Sequence, residues 1–95
     1  MVTLSEPIRD LDDLRNYVQG AICRREQFEP GAFPLTQRLL TRDGAPCGVS
    51  FCLHGPREVQ FTAIWEAVGN TVLFYDCQGE RIARSQLAGR VRLPA

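Results

Sequence analysis

Lysine is absent from this chain: all eleven basic side chains are arginine, balanced by eleven acidic ones, and the formal net charge is zero. Proteins that hold nucleic acid through its phosphates carry a basic surplus, so the balance argues against a nucleic-acid partner. Long apolar runs are also missing. No stretch approaches the ~18 residues that a membrane-spanning helix requires, and the opening residues show no cationic region followed by an apolar one. A soluble, cytoplasmic protein with no membrane partner is the expectation. In a reducing compartment Cys23, Cys47, Cys52 and Cys77 are then expected as free thiols.

Phosphate-binding glycine loops are lacking as well. The eight glycines separate candidate strands, and none lies between a strand and a helix as a phosphate cradle requires. No cofactor is expected. Histidine is represented once, by His54, which removes most familiar catalytic arrangements unless they use that residue. No internal repeat, low-complexity tract or family-specific motif is present.

What the chain does contain is a change of period. At 95 residues it supports one hydrophobic core and is too short for two, so residues 1–95 are expected to form a single domain. Leu11, Leu14, Val18, Ala21 and Ile22 recur at spacings of three and four, which places them on one stripe of an amphipathic helix over about residues 10–27. Asp10 is the candidate N-cap, with acids in the first turn, Arg24 and Arg25 near the far end, and Pro30 and Gly31 ending the pattern. Ile8 is placed to pack on Leu14. By the same spacing Cys23 lies off the stripe.

After Pro34 the period becomes two, with turn residues every ten to thirteen positions. Strands are expected at about 35–42, 47–54, 58–67, 71–76 and 80–87. The connections are too short for crossover helices, so the sheet is an antiparallel meander. The fold class is therefore α+β, with an N-terminal amphipathic helix packed on one face of five antiparallel strands. The layout resembles cystatin-like and other helix-on-curved-sheet architectures, and a shared layout implies no function.

Alternation also suggests a register. Val49, Phe51 and Leu53 share a face, as do Val59, Phe61, Ala63 and Trp65. Pairing Leu53 with Val59 and Phe51 with Phe61 joins the two sets through a three-residue loop, Gly55, Pro56 and Arg57. On the reverse face this register sets His54 opposite Glu58 and Cys52 opposite Gln60. In the last hairpin, pairing Phe74 with Ile82 leaves Cys77, Gln78 and Gly79 as the loop, with Gly79 at a position that tolerates positive φ. Ile82 then faces the helix, while Leu73, Tyr75, Arg81 and Ala83 face away. The tail after Gly89 reads as an edge segment or a loosely ordered end.

Three constellations could carry function. Cys52 and His54 share a strand face, ~7 Å apart along the backbone. An imidazole beside a thiol, oriented by Glu58, is the pattern of an activated cysteine, and the same three residues form the only conceivable metal cluster. The bland reading is a cross-strand polar pair beside a half-buried cysteine. The second constellation is the tail's Arg81, Arg84, Arg90 and Arg92, a possible anion patch that more often is a solvated edge.

The third is the outer sheet face, where Ile64, Leu73 and Tyr75 cluster beside Arg81 if strands three and four meet through the turn at Gly69 and Asn70. Apolar patches rimmed by arginine mark partner surfaces, unless Val2 and Leu4, or Val91 and Leu93, cover them from within the chain. The leading expectation is a non-enzymatic protein-interaction domain, with a protein partner or a second copy on that face. The alternative is a thiol-dependent or metal-assisted activity at Cys52 and His54.

Overall fold

Residues 8–93 are described by a computed structural model of the chain. The helix, α1, runs Leu11–Glu26. Asp10 caps it: its carboxylate accepts the Asp13 N–H at 2.9 Å, and Asp13 in turn accepts the Arg9 N–H at 3.0 Å. One orphan donor of the first turn is thereby satisfied, and the backbone just before the cap is tied to the same turn. Gln27 ends the helix in the left-handed region at φ 62°, with its N–H returned to the Cys23 carbonyl, as an αL cap requires.

Five strands follow: β1 Leu35–Arg42, β2 Ala45–His54, β3 Gln60–Glu66, β4 Thr71–Tyr75 and β5 Arg81–Gln86. They form one open antiparallel sheet in the order β1-β2-β3-β4-β5. The α+β meander is thus as the periodicity implies, and each strand lies within a few residues of its expected place. Asp43 and Gly44 join β1 to β2, both with positive φ (52° and 80°), the two-residue turn whose twist matches a hairpin. Gly48 on β2 lies directly against the β3 backbone. A Cβ there would lie 2.3 Å from the Trp65 carbonyl oxygen, so no side chain fits.

The helix lies against β2, and its Leu14, Val18 and Ile22 join Val49, Phe51, Leu53, Phe61, Ala63, Trp65, Val72 and Phe74 in one core. Ile8 packs against the same core. Cys23, expected off the apolar stripe, is buried, so the stripe is wider than its strongest positions suggest.

The register of β2 with β3 differs from the alternation argument by two residues. Leu53 pairs with Phe61, Phe51 with Ala63 and Val49 with Trp65. A shift of two keeps every side chain on its expected face while changing every partner. The cause lies in the connection, where a short 3-10 turn, Pro56–Glu58, replaces the tighter loop, with Arg57 and Glu58 both at positive φ. The wider loop accommodates an aromatic cluster. Phe28, from the segment after α1, stands 4.9 Å from Phe33 and 5.7 Å from Phe61, edge to face in both cases.

The β4–β5 hairpin follows the expected register at its turn end, where Tyr75 pairs with Arg81, and then departs by one residue at a bulge, so that Phe74 pairs with Ala83 and Leu73 with Arg84. Both Ile82 and Ala83 consequently pack toward the helix side, correcting the expectation that Ala83 faces away. Gly79 does adopt positive φ, at 85°.

As far as Leu93 the tail is neither an edge strand nor loose. Leu87 is buried, Val91 and Leu93 pack on the core beside the helix, and the Arg92 N–H donates to the Arg9 carbonyl at 2.8 Å in a parallel bridge. Asn70 holds its start. This residue, at φ 51° in the β3–β4 turn, accepts the Trp65 indole N–H at 2.9 Å, donates to the Leu87 and Gly89 carbonyls, and receives the Leu87 N–H on its own carbonyl.

Candidate functional site

Antiparallel pairing determines what the outer face presents. Across it run Arg38, Ser50, Ile64, Leu73 and Arg84 in one cross-strand row, and Thr36, Cys52, Thr62, Tyr75 and Arg81 in the next. Ile64 and Leu73 are direct partners, so the predicted cluster does assemble. It is flatter and less exposed than its composition suggests. Leu73 is only 8% exposed and Ile64 and Tyr75 are half-buried, whereas Arg38, Arg81 and Arg84 are exposed. Apolar centre and cationic flanks therefore alternate across the sheet, with Glu66 the acid on β3.

The tail does not cover this face, since Val91 and Leu93 pack on the opposite side with the helix. Val2 and Leu4 lie outside the described residues. The four tail arginines are divided between regions: Arg81 and Arg84 belong to the outer face, while Arg90 and Arg92 follow the chain back toward the start of α1. They do not form one patch.

The Cys52, His54 and Glu58 constellation changes with the register. His54 pairs with Gln60 and Cys52 with Thr62, while Glu58 sits in the 3-10 turn at φ 64°. The imidazole Nε2 of His54 instead lies 2.9 Å from the Thr36 hydroxyl on β1. Burial pushes the Cys52 thiol up from its ordinary value, the opposite of what a nucleophilic thiolate needs. Among the described residues no three histidine, cysteine or acidic side chains converge as metal ligands.

A feature that periodicity did not reveal lies on the helix side. Because α1 lies over β2, the inner face of β4 and β5 is left under an open groove of about 430 Å³, floored by Phe61, Phe74 and Ile82 and walled by Tyr17, Ala21 and Arg24. Its signal in the sequence would have been the position of the helix across the sheet, which no pattern encodes. Comparison with protein-family models, with curated proteins and with solved structures gives no match.

Proposed function

We propose that this chain is a non-enzymatic interaction domain whose outer sheet face receives a protein segment combining acidic and apolar side chains. The observation that carries this reading is the one-sidedness of the packing. Helix, aromatic linker and tail all pack on one face, and the other offers half-buried Ile64 and Tyr75, with Leu73 buried beside Ile64, between the exposed Arg38, Arg81 and Arg84. Arginine supplies charge-assisted hydrogen bonds and tyrosine a rigid contact area at low entropic cost, and both are enriched at binding hot spots. A strand or turn carrying carboxylates on either side of an aliphatic residue matches that spacing of charge and apolar surface.

The test is selection from a random peptide display library against the intact protein. Wild type enriches peptides with paired acidic and aliphatic residues. Arg84→Glu lowers their binding roughly tenfold or more, the scale of one hot-spot contact. A library that yields nothing, or peptides retained equally by Arg84→Glu and Tyr75→Ala, would remove the proposal.

A further inference from the structure

The two edges of the sheet are built differently. At β5 a bulge interrupts the ladder, a common protection of an open edge. At β1 the chain runs eight residues without proline, and the irregularity beside it inserts its extra residue, Cys47, into β2 rather than into β1. Among the described residues β1 therefore offers a regular, unpaired edge.

The hydrogen bonding to β2 determines which backbone groups are free. The His54 N–H donates to the Pro34 carbonyl at 2.9 Å, so the bonded positions of this antiparallel ladder are 34, 36, 38 and 40, and the residues between turn both N–H and C=O outward. The two-residue turn makes Arg42 and Ala45 the closing pair, which leaves Thr41 outward as well. Arg15 closes one end. Its guanidinium donates to the Leu35 carbonyl and, at 2.8 Å, to the side-chain oxygen of Gln37. What remains open is the backbone of Gln37, Leu39 and Thr41, a stretch centred on Leu39. Leu39 is 45% exposed, one of two exposed large apolar side chains among the described residues.

We propose that this stretch pairs with the same stretch of a second copy, antiparallel about a two-fold axis through Leu39. The register follows by elimination: centring on Thr41 sets Leu39 against Asp43, in the partner's turn at positive φ, and leaves Gln37 without a β1 partner. Centring on Arg38 or Leu40 sets arginine opposite arginine, Arg38 on Arg38 or Arg38 on Arg42, which like-charge repulsion disfavours. Centring on Gln37 needs the Leu35 carbonyl that Arg15 already holds. Centring on Leu39 sets Leu39 against Leu39, Gln37 against Thr41 and Arg38 against Leu40, and brings Asp43 of each copy toward Arg15 of the other. About six backbone hydrogen bonds join the copies, two for each bonded pair. The interface is self-complementary, as a two-fold dimer requires, and it leaves the outer face of β3, β4 and β5 free, so it does not depend on the function proposed for that face.

Light scattering and sedimentation across micromolar to millimolar protein test the dimer. Wild type moves from 10.7 kDa toward twice that mass. Leu39→Pro deletes an outward N–H that β2 does not use, so it raises the dissociation constant roughly tenfold or more. Arg84→Glu leaves dimerisation unchanged. Register is read independently in a Cys77→Ser background, where mild oxidation links Leu39→Cys into a covalent dimer, because Cα atoms ~5.5 Å apart across a bonded pair suit a disulfide. Gln37→Cys, opposite Thr41, stays unlinked. A wild type that is monomeric throughout overturns the proposal, as does a folded Leu39→Pro that dimerises normally or a Gln37→Cys that links as readily as Leu39→Cys. Should Leu39→Pro fail to fold, the cysteine pair alone decides.

Discussion

Replacing Asn70 with alanine removes one side chain that serves three parts of the fold. Its Oδ1 accepts the indole N–H of Trp65 at 2.9 Å, and Trp65 is 3% exposed, so the substitution takes the acceptor from a largely buried donor. An orphaned buried donor costs about 1–3 kcal/mol. The backbone at φ 51° is a conformation that asparagine tolerates and alanine resists, adding roughly 1 kcal/mol. The carbonyls of Leu87 and Gly89 lose a donor too, but the Gly89 end is exposed and solvent offsets most of that loss. The sum is about 2–4 kcal/mol, which in a domain of this size lowers Tm by roughly 8–30 °C.

Two comparisons isolate the terms by thermal and urea denaturation. Asn70→Gly relieves the backbone while still deleting the side chain, and falls between wild type and Asn70→Ala. In a Trp65→Phe background there is no indole N–H to orphan, so Asn70→Ala costs about 1–3 kcal/mol less than in wild type. A coupling below about 0.5 kcal/mol in that cycle, or an Asn70→Ala protein melting with wild type, would refute the account of how the turn holds the tail.

Other outcomes follow from the core, the cap and the thiols. Phe51→Ala, at a position 0% exposed, costs about 3–5 kcal/mol by urea denaturation, through lost transfer energy and the cavity left behind. Asp10→Ala leaves the Asp13 N–H without its 2.9 Å acceptor and costs about 1 kcal/mol, visible as a lower helical melting temperature. With an alkylating reagent at neutral pH, exposed Cys77 reacts before Cys23 and Cys52, whose thiols burial holds above their ordinary value. Because those folded-state values are raised, the associated stability is present below the unfolded value of 9.0 and is lost as pH rises beyond it. Urea midpoints between neutral and strongly alkaline pH measure that loss.

Helix, strands and most faces were legible because each depends on spacing alone; Ala83, displaced by the bulge, and Cys23, at the margin of the stripe, were the exceptions. Leu14, Val18 and Ile22 mark one helical stripe, and Phe51 and Phe61 share a sheet face in the structure as in the pattern. The partners were not legible to the same degree. Phe28 and Phe33, in a segment without periodicity, build the aromatic cluster that accompanies the longer loop before β3. The route of the tail was hidden for a similar reason: Val91 and Leu93 alternate like an edge strand, and the contacts of Asn70 and the hydrogen bond from Arg92 to Arg9 direct them to the core beside the helix. The helix-side groove needs the lateral position of α1, which follows from three-dimensional packing of the whole core.

A shift of two residues shows why a face survives where a site does not. A patch such as Ile64, Leu73 and Tyr75 requires only that its members share a face and lie on neighbouring strands, and any even shift preserves the first condition. A catalytic constellation requires particular atoms within hydrogen-bond reach. Moving β3 by two against β2 takes Glu58 out of the ladder and sets Gln60 opposite His54, which removes the acid while leaving the hydrophobic pattern intact. The β1 edge is robust for the same reason as the face. Its open groups depend on parity within one strand, anchored by the His54 to Pro34 hydrogen bond and by Arg15 on Leu35, and no change in the β2–β3 register alters which of them point outward.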